Sequence, residues 1–389
     1  MCSVPDDGDM GHGDDTRSRS AVVRRARMVS QRLNDTSRLG PDPTAIAHAV
    51  CGVQAQDRFA GTMQLRVRSI GLTAVAVEDA IAVRRSLVRT WLMRGTLHLC
   101  AADDIRWLLA LLGPVNHRAN TSRRKQLALD DAMCQRGVRV MRRALANGPM
   151  TRHELRARLV AKGVRIDPNG QAMIHLLAYA AHHGVIVVGP TRGRDSLFVL
   201  LDDWVSASSG PTGEAALAEL ARRHLAAFGP TRVEDLATWS GLPMAAARRA
   251  WSSIAGELVE FPGPVGGLST LRGTTVEAGR RPRQRVEVRL LPHFDTYLLG
   301  YRRRDLMLHP AHIDHLNEGG GGWIRPMVCV DGWLVGGWRL QRGRREAVVT
   351  VRLFEDEVAR LRRELNVEAD AIGAFLGVPM RLEMGEAVG

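Results

Sequence analysis

The chain has 389 residues, 45% hydrophobic and 24% charged, proportions of an ordinary globular protein long enough for several domains or one composite body. Lys and Arg number 54 against 41 Asp and Glu, a net charge of +13, which favours a polyanionic partner such as nucleic acid; only Lys125 and Lys162 are lysine, and a GC-rich coding sequence enriches arginine too. There is no apolar run of about 18 residues and no secretory signal at the acidic start, and Cys2, Cys51, Cys100, Cys134 and Cys329 are scattered without paired spacing, so a cytoplasmic protein without membrane span, disulfide framework or cysteine zinc site is expected.

Residues 1–20 carry five aspartates and three glycines, and a disordered acidic tail is expected there, with order beginning near Ala21. After the Pro41-Asp-Pro-Thr44 loop, Ile46, Ala49, Val50 and Val53 form a helical stripe that runs into Gln54-Ala55-Gln56-Asp57. Helices are predicted at 74–84 and 102–112, and residues 88–99 between them are rich in strand formers around Gly95. An imperfect repeat follows. Gly148-Pro-Met-Thr-Arg-His-Glu-Leu155 and Gly229-Pro-Thr-Arg-Val-Glu-Asp-Leu236 share a Gly-Pro break, a Thr cap and an acidic first turn. Each follows a helix (138–146; 214–227) and precedes a short helix, a turn and another helix (170–183; 244–254). The first copy then leads into two strands around a Gly/Arg turn at 185–200. Helix, helix-turn-helix and hairpin is the order of a winged helix, and 36–100 reads as a degenerate third copy with 88–100 as its wing.

From residue 283 the character changes. Met327–Trp338 alternates apolar residues around Asp331-Gly332, a hairpin signal; 348–354 is a further strand, and 355–377 is expected to close the chain with a helix pair. The predicted fold is therefore α+β, mainly helical, with a C-terminal antiparallel β unit. Its expected parts are the tail 1–20, a first winged-helix-like unit 21–135, a second winged helix 136–206, a third 207–282, and a β-rich unit 283–389.

No conventional catalytic signature is present: no phosphate loop, no nucleophile elbow, no zinc-protease motif. Gly319–Gly322 lacks the Lys-Ser/Thr of a phosphate loop and reads as a flexible loop. His309, His312 and His315 are spaced three apart without an acidic partner, so no metal and no cofactor are expected. What remains is Gln54-Ala55-Gln56. A side-chain amide both donates and accepts, so two of them can hold and aim a water molecule, although two solvated glutamines would look the same in sequence.

Three segments in order — Gln54-Ala-Gln56, Arg89-Thr-Trp-Leu-Met-Arg-Gly-Thr-Leu-His98, and Leu290-Leu-Pro-His-Phe-Asp-Thr-Tyr-Leu-Leu-Gly-Tyr301 — resemble the AlkZ/YcaQ-type winged-helix DNA glycosylases over about residues 28–378. Gln at 56 is similar to the AlkZ-like branch, since the other branch has Asp there. The resemblance implies tandem winged helices forming a concave DNA-binding surface and removal of bulky or crosslinking alkyl-purine adducts from double-stranded DNA. It implies Gln54 and Gln56 as the catalytic pair. For Arg94, Thr96 and His98 a DNA- or water-facing role stands beside plain local hydrogen bonding. Arg302, Arg303 and Arg304 read as a phosphate-contacting loop or as a solvated charge run, and Asp295 as structural, paired with an arginine. Neither lysine falls in a matching motif, so a monofunctional, monomeric enzyme is expected. The alternative is a winged-helix DNA-binding protein or regulator without catalysis, which has no need of both glutamines.

Overall fold

The structure is a computed structural model that describes residues 10–386 apart from 169, 208, 265, 275–285, 318–321, 344 and 356–357. Helix α1 (Met10–Ser30) begins well before Ala21, so the unstructured tail expected through residue 20 is described as helix from Met10. Adding residues to an existing helix needs no new nucleation, and α1 is anchored further along, where Val23 and Ala26 pack on Phe261 and Leu268. Residues 1–9 and most of the glycine run lie outside the described residues.

Three segments share one order, a helix, two further helices and a hairpin, and in the first two a short strand precedes the second helix. The first has α2 (Pro43–Ala49), β1 (Val53–Gln54), α3 (Arg58–Val67), α4 (Ala74–Ala82), β2 (Leu87–Trp91) and β3 (Leu97–Ala101). Helices α5 (Ala102–Ala119) and α6 (Thr121–Gln126) lead to the second: α7 (Asp131–Leu145), β4 (Met150–Thr151), α8 (Arg152–Ala161), α9 (Ala172–His182), β5 (Ile186–Arg192) and β6 (Asp195–Leu200). After the single turn α10 (Leu201–Trp204) come α11 (Gly213–Phe228), α12 (Val233–Ser240), α13 (Met244–Ser253), β7 (Leu258–Glu260) and β8 (Ser269–Leu271). Asp57 accepts from Ala60 N at the start of α3, and Thr151 with Glu154 makes a reciprocal capping box on α8. The Thr cap expected on the second copy is not formed: Arg232 is the N-cap residue of α12, and Asp235 Oδ2 accepts from Arg232 N and Thr231 Oγ1, both at 3.0 Å. The hairpins of the first two segments lie in one sheet, of order β1-β3-β2-β5-β6-β4 among the described residues, with Arg89 opposite Val188.

The C-terminal part contributes β9 (Val288–Leu291), α14 (Thr296–Leu299), β10 (Met327–Val330), β11 (Trp333–Arg342), β12 (Ala347–Leu353), α15 (Val358–Leu376) and β13 (Met380–Met384). The sheet order is β13-β12-β11-β10-β9, antiparallel except for β12 and β13, which run parallel. Asp331 and Gly332 take φ of 48° and 83° in the two-residue turn between β10 and β11. The expected closing helix pair is instead one helix, α15, and a strand. Gly377 takes a φ of 70° and Pro379 follows, which stops the helix and turns the chain back beside β12. The first and third segments and this sheet share one core; the second has its own, which Trp91 joins.

Candidate active site and nucleic-acid grooves

Gln54 is the last residue of β1, a strand-to-helix junction rather than the end of a helix. Helix α2 stops at Ala49, and Gly52, with a φ of 86°, lays the chain on β3 so closely that a Cβ would run into Cys100 Sγ. Val53 then pairs with Leu99 and Gln54 with His98, and Ala55 N donates to Leu97 O at 2.7 Å. The middle residue of Gln-Ala-Gln must be small. A Cβ on Gly61 of α3 would stand 2.7 Å from that of Ala55, which is how closely the helix approaches the segment.

The two longer motifs converge on this segment from opposite sides. From β2, Arg89 Nε donates to Ala55 O at 2.9 Å and Nη2 to Gln56 O at 3.3 Å. From α3, Gln64 Nε2 donates to Gln54 O at 2.6 Å, while Gln64 Oε1 accepts from Thr296 N at 3.2 Å. One turn on, Arg68 donates to both carboxylate oxygens of Asp295, at 2.9 and 2.7 Å, and both side chains have 0% exposure. Asp295 is thus paired with an arginine, Arg68, and caps α14 at Tyr297 N. Backbone bonds from side chains hold the Gln-Ala-Gln segment in three places, so its geometry is set before any substrate arrives.

The side chains of the pair differ in burial and in partner. Gln54 is 5% exposed, and its Oε1 accepts from Arg94 Nη2 at 2.6 Å. Gln56 is exposed, and its Oε1 accepts from Leu97 N at 3.2 Å. Gln56 lines an open groove of about 560 Å³ with Arg89, Trp91, Arg152, Arg194 and Phe198. The next residue, Asp57, lines a second groove of about 580 Å³ with His293, Trp323, Arg339 and Arg352, and Arg342 stacks on Phe59 beside it with its guanidinium carbon 3.7 Å from the ring centre. The Gln56-Asp57 step therefore stands between two arginine-bearing grooves.

Arg94 points inward. Its Nη1 donates to Trp239 O of α12 at 2.6 Å, and burial pushes its guanidinium down to about 10. Thr96 Oγ1 donates to Met93 O at 3.1 Å, a local bond. His98 is buried, with Nδ1 3.0 Å from Thr96 O, so that nitrogen carries the proton. None of these three presents a free cation to a phosphate. Arg302, Arg303 and Arg304 line neither groove: Arg302 N donates to Asp235 Oδ1 at 2.8 Å, Arg303 pairs with Asp305, and Arg302 and Arg303 border a smaller hollow of about 360 Å³ with Arg27 and Arg232. His309, His312 and His315 follow a 3-10 turn, with His312 stacked on Phe354, and no cluster of three metal-ligating side chains occurs among the described residues. Arg89, Gln64 and Trp239 are the residues that sequence reasoning missed; Arg89 stood inside a quoted motif, whereas Gln64 and Trp239 carry no signal along the chain.

Three buried histidines give the protein an acid limit. Burial first, then nearby cations, pushes His98 and His224 down to about 3 and His182 to about 4, against an ordinary 6.5. The unfolded chain takes up these protons before the folded one does, so stability is intact above about pH 6.5 and falls as the pH drops toward about 4. Denaturant midpoints measured from pH 7 to pH 4 are expected to decline throughout that window; a flat profile would contradict the burial of these rings as neutral groups.

The repeated order of helix, two further helices and hairpin defines a tandem winged-helix protein, and the amide-bearing junction between arginine-bearing grooves is its candidate nucleic-acid site. The family model described as DNA glycosylase AlkZ-like matches residues 47–375, and the chain belongs to that family. It is 27% identical over 350 residues to the interstrand DNA cross-link repair glycosylase of Streptomyces sahachiroi, covering 85% of this chain and 92% of the relative. The solved structure of Streptomyces sahachiroi DNA glycosylase AlkZ superposes with a TM-score of 0.79 at 26% identity, over 94% of this chain and 98% of that one. The protein is a DNA glycosylase, and no helix among its described residues is long and apolar enough to cross a membrane.

Proposed function

We propose that the protein hydrolyses the N-glycosidic bond of bulky or crosslinking N-alkylpurine adducts in double-stranded DNA, as a monofunctional and monomeric enzyme that leaves an abasic site. The observation that carries this reading is the convergence of all three motifs on Gln54-Ala55-Gln56 between two open basic grooves. The name of the Streptomyces sahachiroi relative supports crosslinked DNA as the substrate class.

Cleavage of the bond passes through an oxocarbenium-like sugar, which needs a placed water molecule and little else when the leaving group is good. A cationic N7-alkylpurine is such a leaving group. Two neutral amides that aim water then suffice for the damaged base, while an undamaged purine, which needs a strong general acid, stays in place. Arg152 and Arg194 in one groove and Arg339 and Arg352 in the other suit phosphate contacts on both sides of the site. A base too bulky or too tethered to swing out of the duplex is served by an exposed Gln56 at an open groove. Lys125 and Lys162 are exposed and border neither groove, which supports hydrolysis without a Schiff base.

The experiment is a panel of duplexes carrying N7-methylguanine, a bulky N7 adduct or uracil at one position, scored for abasic sites and for strand breaks before heating. Release of both N7 adducts, intact strands and untouched uracil are the expected results. Efficient uracil release, or activity confined to the small adduct, would overturn the open-groove reading, and strand breaks or borohydride-trapped enzyme would overturn the monofunctional one. Binding without release of either N7 adduct would overturn the N-alkylpurine substrate class.

A further inference from the structure

Arg94 is built as an internal clamp. Its φ of 55° is left-handed, a conformation that is strained for an ordinary residue and persists where surrounding contacts over-determine it. Those contacts are visible. The guanidinium bridges Gln54 Oε1 and Trp239 O, both at 2.6 Å, and Trp239 O lies in the last turn of α12, where the carbonyl end of the helix dipole favours a cation. Beyond that turn Gly241 has a φ of 80°, and a Cβ there would stand 3.0 Å from both N and Cα of Arg94. The third winged helix is therefore fitted directly onto the Arg94 turn.

A guanidinium only donates, so the Gln54 atom that faces it is the oxygen, and Nε2 is turned away. Leu97 N–H does the same to Gln56. We propose that Arg94 is a positioning residue that fixes the polarity of the Gln54 amide, so that the pair meets the attacking water with N–H donors and not with proton acceptors. This rests on the reading of Gln54 and Gln56 as the water-holding pair. An amide N–H donates to one lone pair of the water oxygen, and the other lone pair attacks C1′. The C1′–N9 electron pair leaves with the purine and neutralises its cation, and the surplus proton of the water passes to solvent. No base in the pair is needed, which suits a leaving group that already carries positive charge.

The test compares Gln54→Ala, Gln54→Glu, Arg94→Met and the Gln54→Ala/Arg94→Met double variant. It measures single-turnover release of N7-methylguanine, and binding to undamaged duplex as a function of salt. Arg94→Met is expected to slow release at least ~10-fold in the wild-type background and under about twofold in the Gln54→Ala background, the non-additivity of residues acting as one unit. Gln54→Glu keeps an oxygen toward Arg94 and loses the amino group, so it is expected to fold and to be as slow as Gln54→Ala. The salt slope of Arg94→Met should match wild type. The proposal is overturned if Arg94→Met stays within about threefold of wild type, if the two losses multiply, or if the salt slope falls by about one, as the loss of a phosphate contact would make it. A Gln54→Glu variant with more than about a tenth of the wild-type rate overturns it as well, even should Arg94→Met fail to fold. A fast Gln54→Ala enzyme would instead sink the water-holding reading itself, which a slow Gln54→Ala beside a fast Arg94→Met would leave standing.

Discussion

Replacing Gln54 or Gln56 by alanine is expected to lower single-turnover base release by well over ~10-fold in each case, each factor of ten being about 1.4 kcal/mol of lost transition-state stabilisation. The two variants should differ in everything else. Gln56 is exposed, with one acceptor bond to Leu97 N, so Gln56→Ala should melt within about 1 °C of wild type. Gln54 is buried, and its removal strands a donor of Arg94 in a desolvated place, which costs about 1–3 kcal/mol. Both should bind undamaged duplex as wild type does, because neither is a cation. Melting curves, salt-dependent binding and single-turnover rates on one N7-methylguanine duplex check all three statements. A variant that keeps more than about a tenth of the wild-type rate would show that its glutamine does not aim the water.

The largest loss of stability is expected at Asp295, far from any solvent. Asp295→Ala leaves Arg68 as a buried guanidinium without its carboxylate and frees the first turn of α14, and breaking a buried pair in this way costs about 3–5 kcal/mol. The Arg68→Met/Asp295→Leu double variant removes both charges and should lose less than either single change, since no uncompensated ion remains. Denaturant midpoints for the three proteins decide the matter; a single variant that loses under about 1 kcal/mol would show the pair to be dispensable. Activity should fall with stability in Asp295→Ala, because Gln64 connects Thr296 to the carbonyl of Gln54.

The architecture was legible wherever a short-range rule carries it. The Gly148-Pro149 and Gly229-Pro230 breaks mark the helix-turn-helix segments, the Asp331-Gly332 step marks its hairpin, and the degenerate copy at 36–100 is the segment that carries Gln54. Gln54-Ala55-Gln56 stood out only beside the two longer motifs, and contact explains why: Arg89, and Gln64 with Thr296, hold its backbone. What the pattern along the chain hid is the direction of long side chains. For Arg94 the sequence leaves a DNA- or water-facing role beside local hydrogen bonding, and only packing against Trp239 and Gly241 turns it inward. Arg302–Arg304 look like a phosphate loop, yet they border neither groove, and Arg303 is paired with Asp305. A helix pair was expected at 355–377 because apolar spacing does not distinguish two helices from one helix of 19 residues followed by a strand.

The pairing of β2 with β5 decides how this protein can be taken apart. A cut at residue 135 would detach β5, β6 and β4 and leave the outer edge of Leu87–Trp91 with unmet backbone donors and acceptors and an uncovered Trp91. Bare edges of that kind recruit other chains, so the fragment would aggregate sooner than work as a small module. The same seam makes one wall of the Gln56 groove continuous, through its sheet, with the strand that carries Arg89, so opening that groove means bending a sheet, not swinging a linker. On the function proposed above, a duplex that meets this surface does the adapting, by bending or unstacking.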